Sequence, residues 1–149
     1  MSENLLFVAD KPCGISCSKF LSSLKKKYGV KKAGYSGTLD VNAQGVLIVA
    51  FGQYTKLFRF LKKTPKRYEA VLWLGAKSES LDMEFVTSVK ELEPFDIEEI
   101  RRHAAKLTGT ITYTPPKFSA KHIDGKRAYD LAREGKEVCL QEITTEVFE

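Results

Sequence analysis

The sequence predicts a single domain of mixed helices and strands. Three observations carry that expectation. Its 149 residues, 43% of them hydrophobic, suffice for one real core. Short apolar runs rich in β-branched and aromatic residues recur along the chain, as strands do. Between them lie stretches with apolar residues at helical spacing and capping residues at their ends.

The first strand is expected at Asn4 to Val8, ending in DKPCGIS, where Pro12 and Gly14 signal a loop. Ser16 or Ser18 then caps a helix, with Phe20, Leu21, Leu24 and Tyr28 on one face, Lys25, Lys26 and Lys27 projecting elsewhere, and Gly29 as the stop. VKKAGYSGTLDVNAQG reads as a loop, followed by VLIVAF, Val46 to Phe51, a strand expected to be buried on both faces. TKLFRFLKK predicts a short helix with Leu57, Phe60 and Leu61 inward, ended by Pro65.

Tyr68 to Leu74, YEAVLWL, reads as another strand closed by Gly75. Asp96 and Glu99 have the spacing of a capping box for a helix with Ile97, Ile100, Ala104 and Leu107 inward. The acidic stretch from Glu91 to Glu99 reads as a solvated face. The stretch beginning TGTITYTPP then holds a β-like piece, a break at Pro115 and Pro116, a basic loop and a helix from about Lys126 to Glu134, stopped by Gly135. The sequence closes on ITTEVFE, a strand-like segment.

Composition narrows the function. Lys and Arg number 24 against 19 Asp and Glu, a charge of +5 that favours a polyanionic partner. No run approaches the roughly 18 apolar residues of a membrane span, and the N-terminus lacks the features of a secretory signal, so a cytoplasmic location is expected. The three cysteines, Cys13, Cys17 and Cys139, form no disulfide framework and no metal-ligand pattern, and read as small packing residues. The two histidines, His103 and His122, have no evident nucleophile partner. Phosphate-loop and dinucleotide motifs are absent, and neither a nucleotide cofactor nor a metal is expected.

Asp40, in YSGTLDVNAQG, poses the sharper question. A loop aspartate often holds its own turn by accepting backbone N–H bonds. Against that, Asp40 lies between Gly37 and Gly45, whose missing side chains allow a ligand close approach, and a carboxylate anchored by a neighbouring core strand suits a nucleophile or base. Both readings stay open from the residues alone. Asp82 reads as an ordinary loop carboxylate.

Basic residues cluster at Lys25 to Lys32, Lys62 to Arg67 and Lys117 to Arg133, accompanied by Tyr28, Tyr35, Tyr68, Phe118 and Tyr129. Cations for phosphates with rings for unpaired bases is how looped or single-stranded RNA is held.

In order along the chain, DKPCGISCSKF, KAGYSGTLDVNAQGVLIVAFGQYTKL, KRYEAVLWLGAKSESLD and PPKFSAKHIDGKRAYDLAREGKEV resemble the motifs of the TruB family of tRNA pseudouridine synthases. The resemblance implies an α+β pseudouridine-synthase fold around a mixed, largely antiparallel sheet flanked by helices and incomplete at its C-terminus. It implies that residues 1–149 are part of a catalytic domain without a PUA domain, with an RNA-gripping insertion at about 115–138. Because the front half of that insertion is polar and lacks apolar periodicity, it is expected to be mobile without RNA.

The implied activity is isomerisation of the uridine at position 55, in the tRNA T-loop, to pseudouridine, by base flipping and without cofactor or metal. Asp40 would be the catalytic aspartate, attacking sugar or base or assisting proton removal, and Tyr68 the active-site tyrosine that stacks on the uracil. Tyr35 would wedge into the T-loop, with Lys56, Lys66, Arg67, Lys117, Lys121, Lys126, Arg127 and Arg133 as RNA contacts. The partner is the tRNA T-stem-loop; a complete protein is expected to be a monomer, with self-association a risk of an uncovered sheet edge.

This sequence departs from the pattern in three places. Tyr35 stands for the usual His, Val41 for the usual Pro, and a later motif whose Arg pairs with the aspartate would lie beyond ITTEVFE. The alternative reading, on that account, is a noncatalytic RNA-binding or tRNA-folding module.

Overall fold

The computed structural model describes residues 4–62, 64–118, 122–123, 126–128, 131, 134–135 and 138–149. They belong to two units, Met1–Glu69 and Ala70–Glu149.

The first unit runs β1 (Leu5–Lys11), α1 (Cys17–Tyr28), β2 (Ala33–Ser36), β3 (Gly45–Phe51) and a 3₁₀ helix (Gly52–Phe60). Its three strands form one antiparallel sheet in the order β1-β3-β2. Alternation along each strand sends Phe7 and Ala9, Ala33 and Tyr35, and Leu47, Val49 and Phe51 to one face. There they meet Cys17, Phe20, Leu21 and Leu24 of α1. Full burial of a large apolar side chain, as at Leu47, Val49 and Phe51, contributes about 1.5–3 kcal/mol. Phe7 and Phe51 add an edge-to-face pair with centroids 5.2 Å apart.

α1 follows its capping residues. Ser16 is the N-cap, its side chain accepting from the Lys19 N–H, and Gly29 ends the helix in the left-handed conformation at φ 65°. The basic last turn, Lys25 to Lys27, suits the negative end of the helix dipole.

Two expectations change here. β2 forms within what reads as loop: Ala33 to Ser36 pairs with Phe51 to Ile48, a long-range partner that invites a ladder where local composition does not. β3 is central but not wholly enclosed, since Val46 at its start is exposed.

The segment after β3 winds as a 3₁₀ helix, so its inner face repeats every three residues. Gly52, Thr55, Phe58 and Leu61 are half-buried, whereas Leu57 and Phe60, expected inward on an α-helical period, are exposed. Thr55 and Phe58 lie over Gly34 of β2, where a Cβ would stand 3.1 Å from Phe58 Cε2.

The second unit contains β4 (Ala76–Ser78), β5 (Val86–Val89), α2 (Ile97–Ala105), β6 (Gly109–Tyr113), β7 (His122–Ile123), β8 (Lys126–Arg127) and β9 (Ile143–Val147). They pair antiparallel as β4-β5, β6-β9 and β7-β8. Every ladder among the described residues of both units is antiparallel, and helices accompany sheets, so the fold is α+β.

Tyr68 to Leu74 carries strand composition but joins no ladder among the described residues, and Val71, Leu72 and Trp73 stand exposed. Ladder partners rather than composition decide a strand. Asp96 caps α2 alone, accepting from the Glu98 N–H at 3.0 Å. The side chains expected inward, Ile97, Ile100 and Ala104 of α2 and Leu107 just beyond it, are exposed, as no described apolar surface covers them. Lys126 and Arg127, expected to open a helix, lie in β8; helical backbone is found at Ala128 and Leu131.

Candidate active site

The strand alternation that sends Phe7 and Ala9 to the core sends Lys11 there as well. At the end of β1 it is 0% exposed. Its ammonium donates to the backbone oxygens of Ile15 at 2.7 Å, Pro12 at 2.8 Å and Val41 at 3.4 Å. A buried lysine satisfied by three carbonyls acts as a structural cross-link. It ties the loop after β1 to the segment holding Asp40.

Other groups of that loop close on the same segment. Gly14, in the left-handed region at φ 80°, donates its N–H to the Val41 oxygen at 2.8 Å. The Cys13 thiol donates to the Asn42 oxygen at 3.2 Å. Cys17 Sγ accepts the Leu39 N–H at 3.2 Å and donates to the Leu39 oxygen at 3.3 Å. Within the segment, the Ala43 N–H closes a turn onto the Asp40 oxygen at 3.1 Å. The hydrogen bonds that hold residues 39–42 are thus made to their backbone, while the Leu39 side chain packs on the core cluster.

This arrangement bears on the two readings of Asp40. Its side chain is exposed, and among the described residues its carboxylate makes no hydrogen bond or ion pair. Asp82 does the opposite, accepting from Ser80 Oγ and from the Glu84 N–H at 2.8 Å, and is a loop carboxylate as expected. Asp96 is likewise engaged, at the α2 cap. Among the described residues, the hydrogen bonds that hold this turn are made to its backbone and not to the Asp40 carboxylate. Beside it, Gly37 takes φ 81°, and nothing lies within 4 Å of the place a Cβ would occupy.

Tyr35 sits half-buried on β2 opposite Val49, its ring against the core and its hydroxyl 3.2 Å from Ser18 Oγ. The first turn of α1 therefore touches both candidate residues, Tyr35 through Ser18 and the Asp40 segment through Cys17. Tyr68 is 73% exposed, and none of the hydrogen bonds or ring contacts of the described residues involves it.

Lys56, Lys66 and Arg67 are exposed cations. Lys117 pairs with Glu79 at 2.9 Å and lies 5.3 Å from the centroid of Phe118, which itself stacks on Phe85. The side chains of Lys126 and Arg127, and Lys121 and Arg133 altogether, lie outside the described residues, as does most of the expected insertion beyond Phe118.

Sequence reasoning passed over Lys11, and it misjudged Cys13, which is exposed rather than packed. Cys17 is buried as expected but has an additional duty at Leu39. The signal available for Lys11 was its place in phase with Phe7 and Ala9; for Cys17, its place on the helix face of Phe20, Leu21 and Leu24. Among the described residues no three His, Cys, Asp or Glu side chains come together, and no helix is long and apolar enough to cross a membrane.

Comparison with known proteins places the chain in a family. The family model for TruB family pseudouridylate synthase (N terminal domain) matches residues 25–149. A protein of Campylobacter jejuni subsp. jejuni serotype O:2 named tRNA pseudouridine synthase B is 58% identical over 146 residues, 98% of this chain and 54% of its own length. Its namesake in Campylobacter curvus is 59% identical over 145 residues, covering 97% and 53%, and that of Sulfurimonas denitrificans 55% identical over 146 residues, covering 98% and 54%. The chain spans about half the length of the curated relatives it matches. A family model that accounts for residues 25–149 leaves one conclusion: the chain belongs to the TruB family of pseudouridylate synthases.

Proposed function

We propose that this chain carries the catalytic aspartate of an enzyme that converts a uridine of tRNA, in the T-loop at position 55, to pseudouridine. The observation that supports it most is the Asp40 carboxylate, unengaged among the described residues on a turn fixed through its backbone. The relatives' shared name, tRNA pseudouridine synthase B, supports the substrate.

In the proposed reaction the uridine leaves its stack, at a cost of a few kcal/mol that stacking and phosphate contacts offset. The bond between N1 of uracil and C1′ of ribose breaks, the base turns, and C5 bonds to C1′. C5 loses its proton and N1 gains one, so the step is an isomerisation with no outside reactant. Asp40 acts at the reacting nucleotide. Tyr68, with its exposed ring, stacks on the displaced uracil, and Tyr35 meets the loop it leaves. Lys56, Lys66, Arg67 and Lys117, with Lys121, Lys126, Arg127 and Arg133 in the insertion, contact phosphates.

The test is pseudouridine formation in an unmodified tRNA transcript by the full chain and by its Asp40→Asn variant. Product at the T-loop uridine that disappears with Asp40→Asn is expected. Retained tRNA binding with no product from the parent chain overturns the catalytic reading in favour of an RNA-binding module.

A further inference from the structure

Cys17 stands on the first turn of α1, 2% exposed, with its thiol against both peptide groups of one residue. The Leu39 N–H donates to Sγ at 3.2 Å while the S–H donates back to the Leu39 oxygen at 3.3 Å. A thiol does both at once because sulfur carries one proton and free lone pairs. Both bonds are weak in water, but this site is closed to water, and Leu39 itself packs on the core cluster.

Leu39 is joined by one peptide to Asp40. Fixing both polar groups of Leu39 fixes the entry of the chain into the Asp40 turn, and with it the direction of the Asp40 Cα–Cβ bond. The exit is closed by the Ala43 N–H on the Asp40 oxygen. Because the carboxylate has no partner among the described residues to aim it, its placement is inherited from this backbone.

We propose that Cys17 is a positioning residue for Asp40, acting through the reciprocal thiol–peptide bonds to Leu39. The inference rests on Asp40 being the group that acts on uridine. It differs from a packing role in one respect: packing values volume and apolarity, whereas positioning requires one donor and one acceptor on the same atom.

Two substitutions separate these demands. Cys17→Ser keeps donor and acceptor; Cys17→Val fills the space with neither. In the full chain, kcat and KM for tRNA pseudouridylation are measured with thermal unfolding and hydrogen exchange at the Leu39 amide. The expected result is an inversion: Cys17→Val is at least as heat-stable as Cys17→Ser, yet its kcat falls by about 10- to 100-fold with little change in KM, as for misplaced reacting groups. Its Leu39 amide exchanges faster, and Cys17→Ser restores kcat and protection.

Equal kcat and equal Leu39 protection in the valine variant overturn the proposal, as does a serine variant no better than valine. Cys17→Ala replaces valine in the comparison if the valine variant does not fold. A parent chain that forms no pseudouridine overturns the functional reading alone; the Leu39 exchange of the serine and valine variants then supports or overturns the claim that Cys17 fixes the turn.

Discussion

The ammonium of Lys11, at the end of β1, reaches the backbone oxygen of Val41, thirty residues later in the chain, at 3.4 Å. Its other two acceptors are in the loop after β1, the oxygens of Pro12 and Ile15. One buried cation thus joins two loops that adjacent strands leave side by side. Lys11→Met keeps most of the stem and removes the donors, leaving carbonyls unsatisfied in a closed site. A loss of about 1–3 kcal/mol is expected, measured by urea unfolding of the full chain.

Asp40 and Asp96 call for opposite outcomes. Asp40→Asn removes a charge that no described group uses, so stability is expected to change by no more than about 0.5 kcal/mol even as activity is lost. Asp96→Ala removes the α2 cap and should cost about 1 kcal/mol. Unfolding of the two variants under identical conditions checks the contrast; a strongly destabilised Asp40→Asn would return that residue to a turn-holding role.

Gly75 opens the β4–β5 hairpin at φ 82°, and a Cβ there would stand 2.5 Å from the Lys90 oxygen, whose own N–H bonds back to the Gly75 oxygen at 3.0 Å. Backbone conformation and space both forbid a side chain. Gly75→Ala is expected to destabilise the hairpin by about 1–3 kcal/mol. Faster amide exchange in β4 and β5 would show it, and unaltered exchange would contradict the packing described.

Lys66 and Arg67 are exposed, and neither forms an ion pair among the described residues. If each neutralises one phosphate, replacing both with Ala weakens tRNA binding and lowers the slope of log K against log salt by about 2. A filter-binding titration over salt measures that slope, and an unchanged slope removes both residues from the interface.

α1 and β3 were legible because their determinants are local: Ser16 and Gly29 are caps, and Val46 to Phe51 is apolar almost throughout. β2 was not, since Ala33 to Ser36 carries little strand propensity and becomes a strand by lying beside β3. The converse holds at Tyr68 to Leu74, where strand residues lack a ladder among the described residues. The inner face of the segment after β3 was misplaced because a period of three displaces Leu57 and Phe60 in favour of Thr55 and Phe58. For the site, Asp40 stood out through its motif. Its support did not, because Lys11, Cys13 and Cys17 act on backbone atoms, which leave no trace in the composition of the segment they hold.

That manner of support has a consequence for sequence drift. Val41 and Asn42 turn their side chains to solvent while their carbonyls are held by Lys11, Gly14 and Cys13. The identity of residue 41 is then decoupled from the aim of residue 40, and a valine serves where a conformationally locked residue would be the obvious choice. Mutational freedom beside Asp40 is granted by residues in another loop.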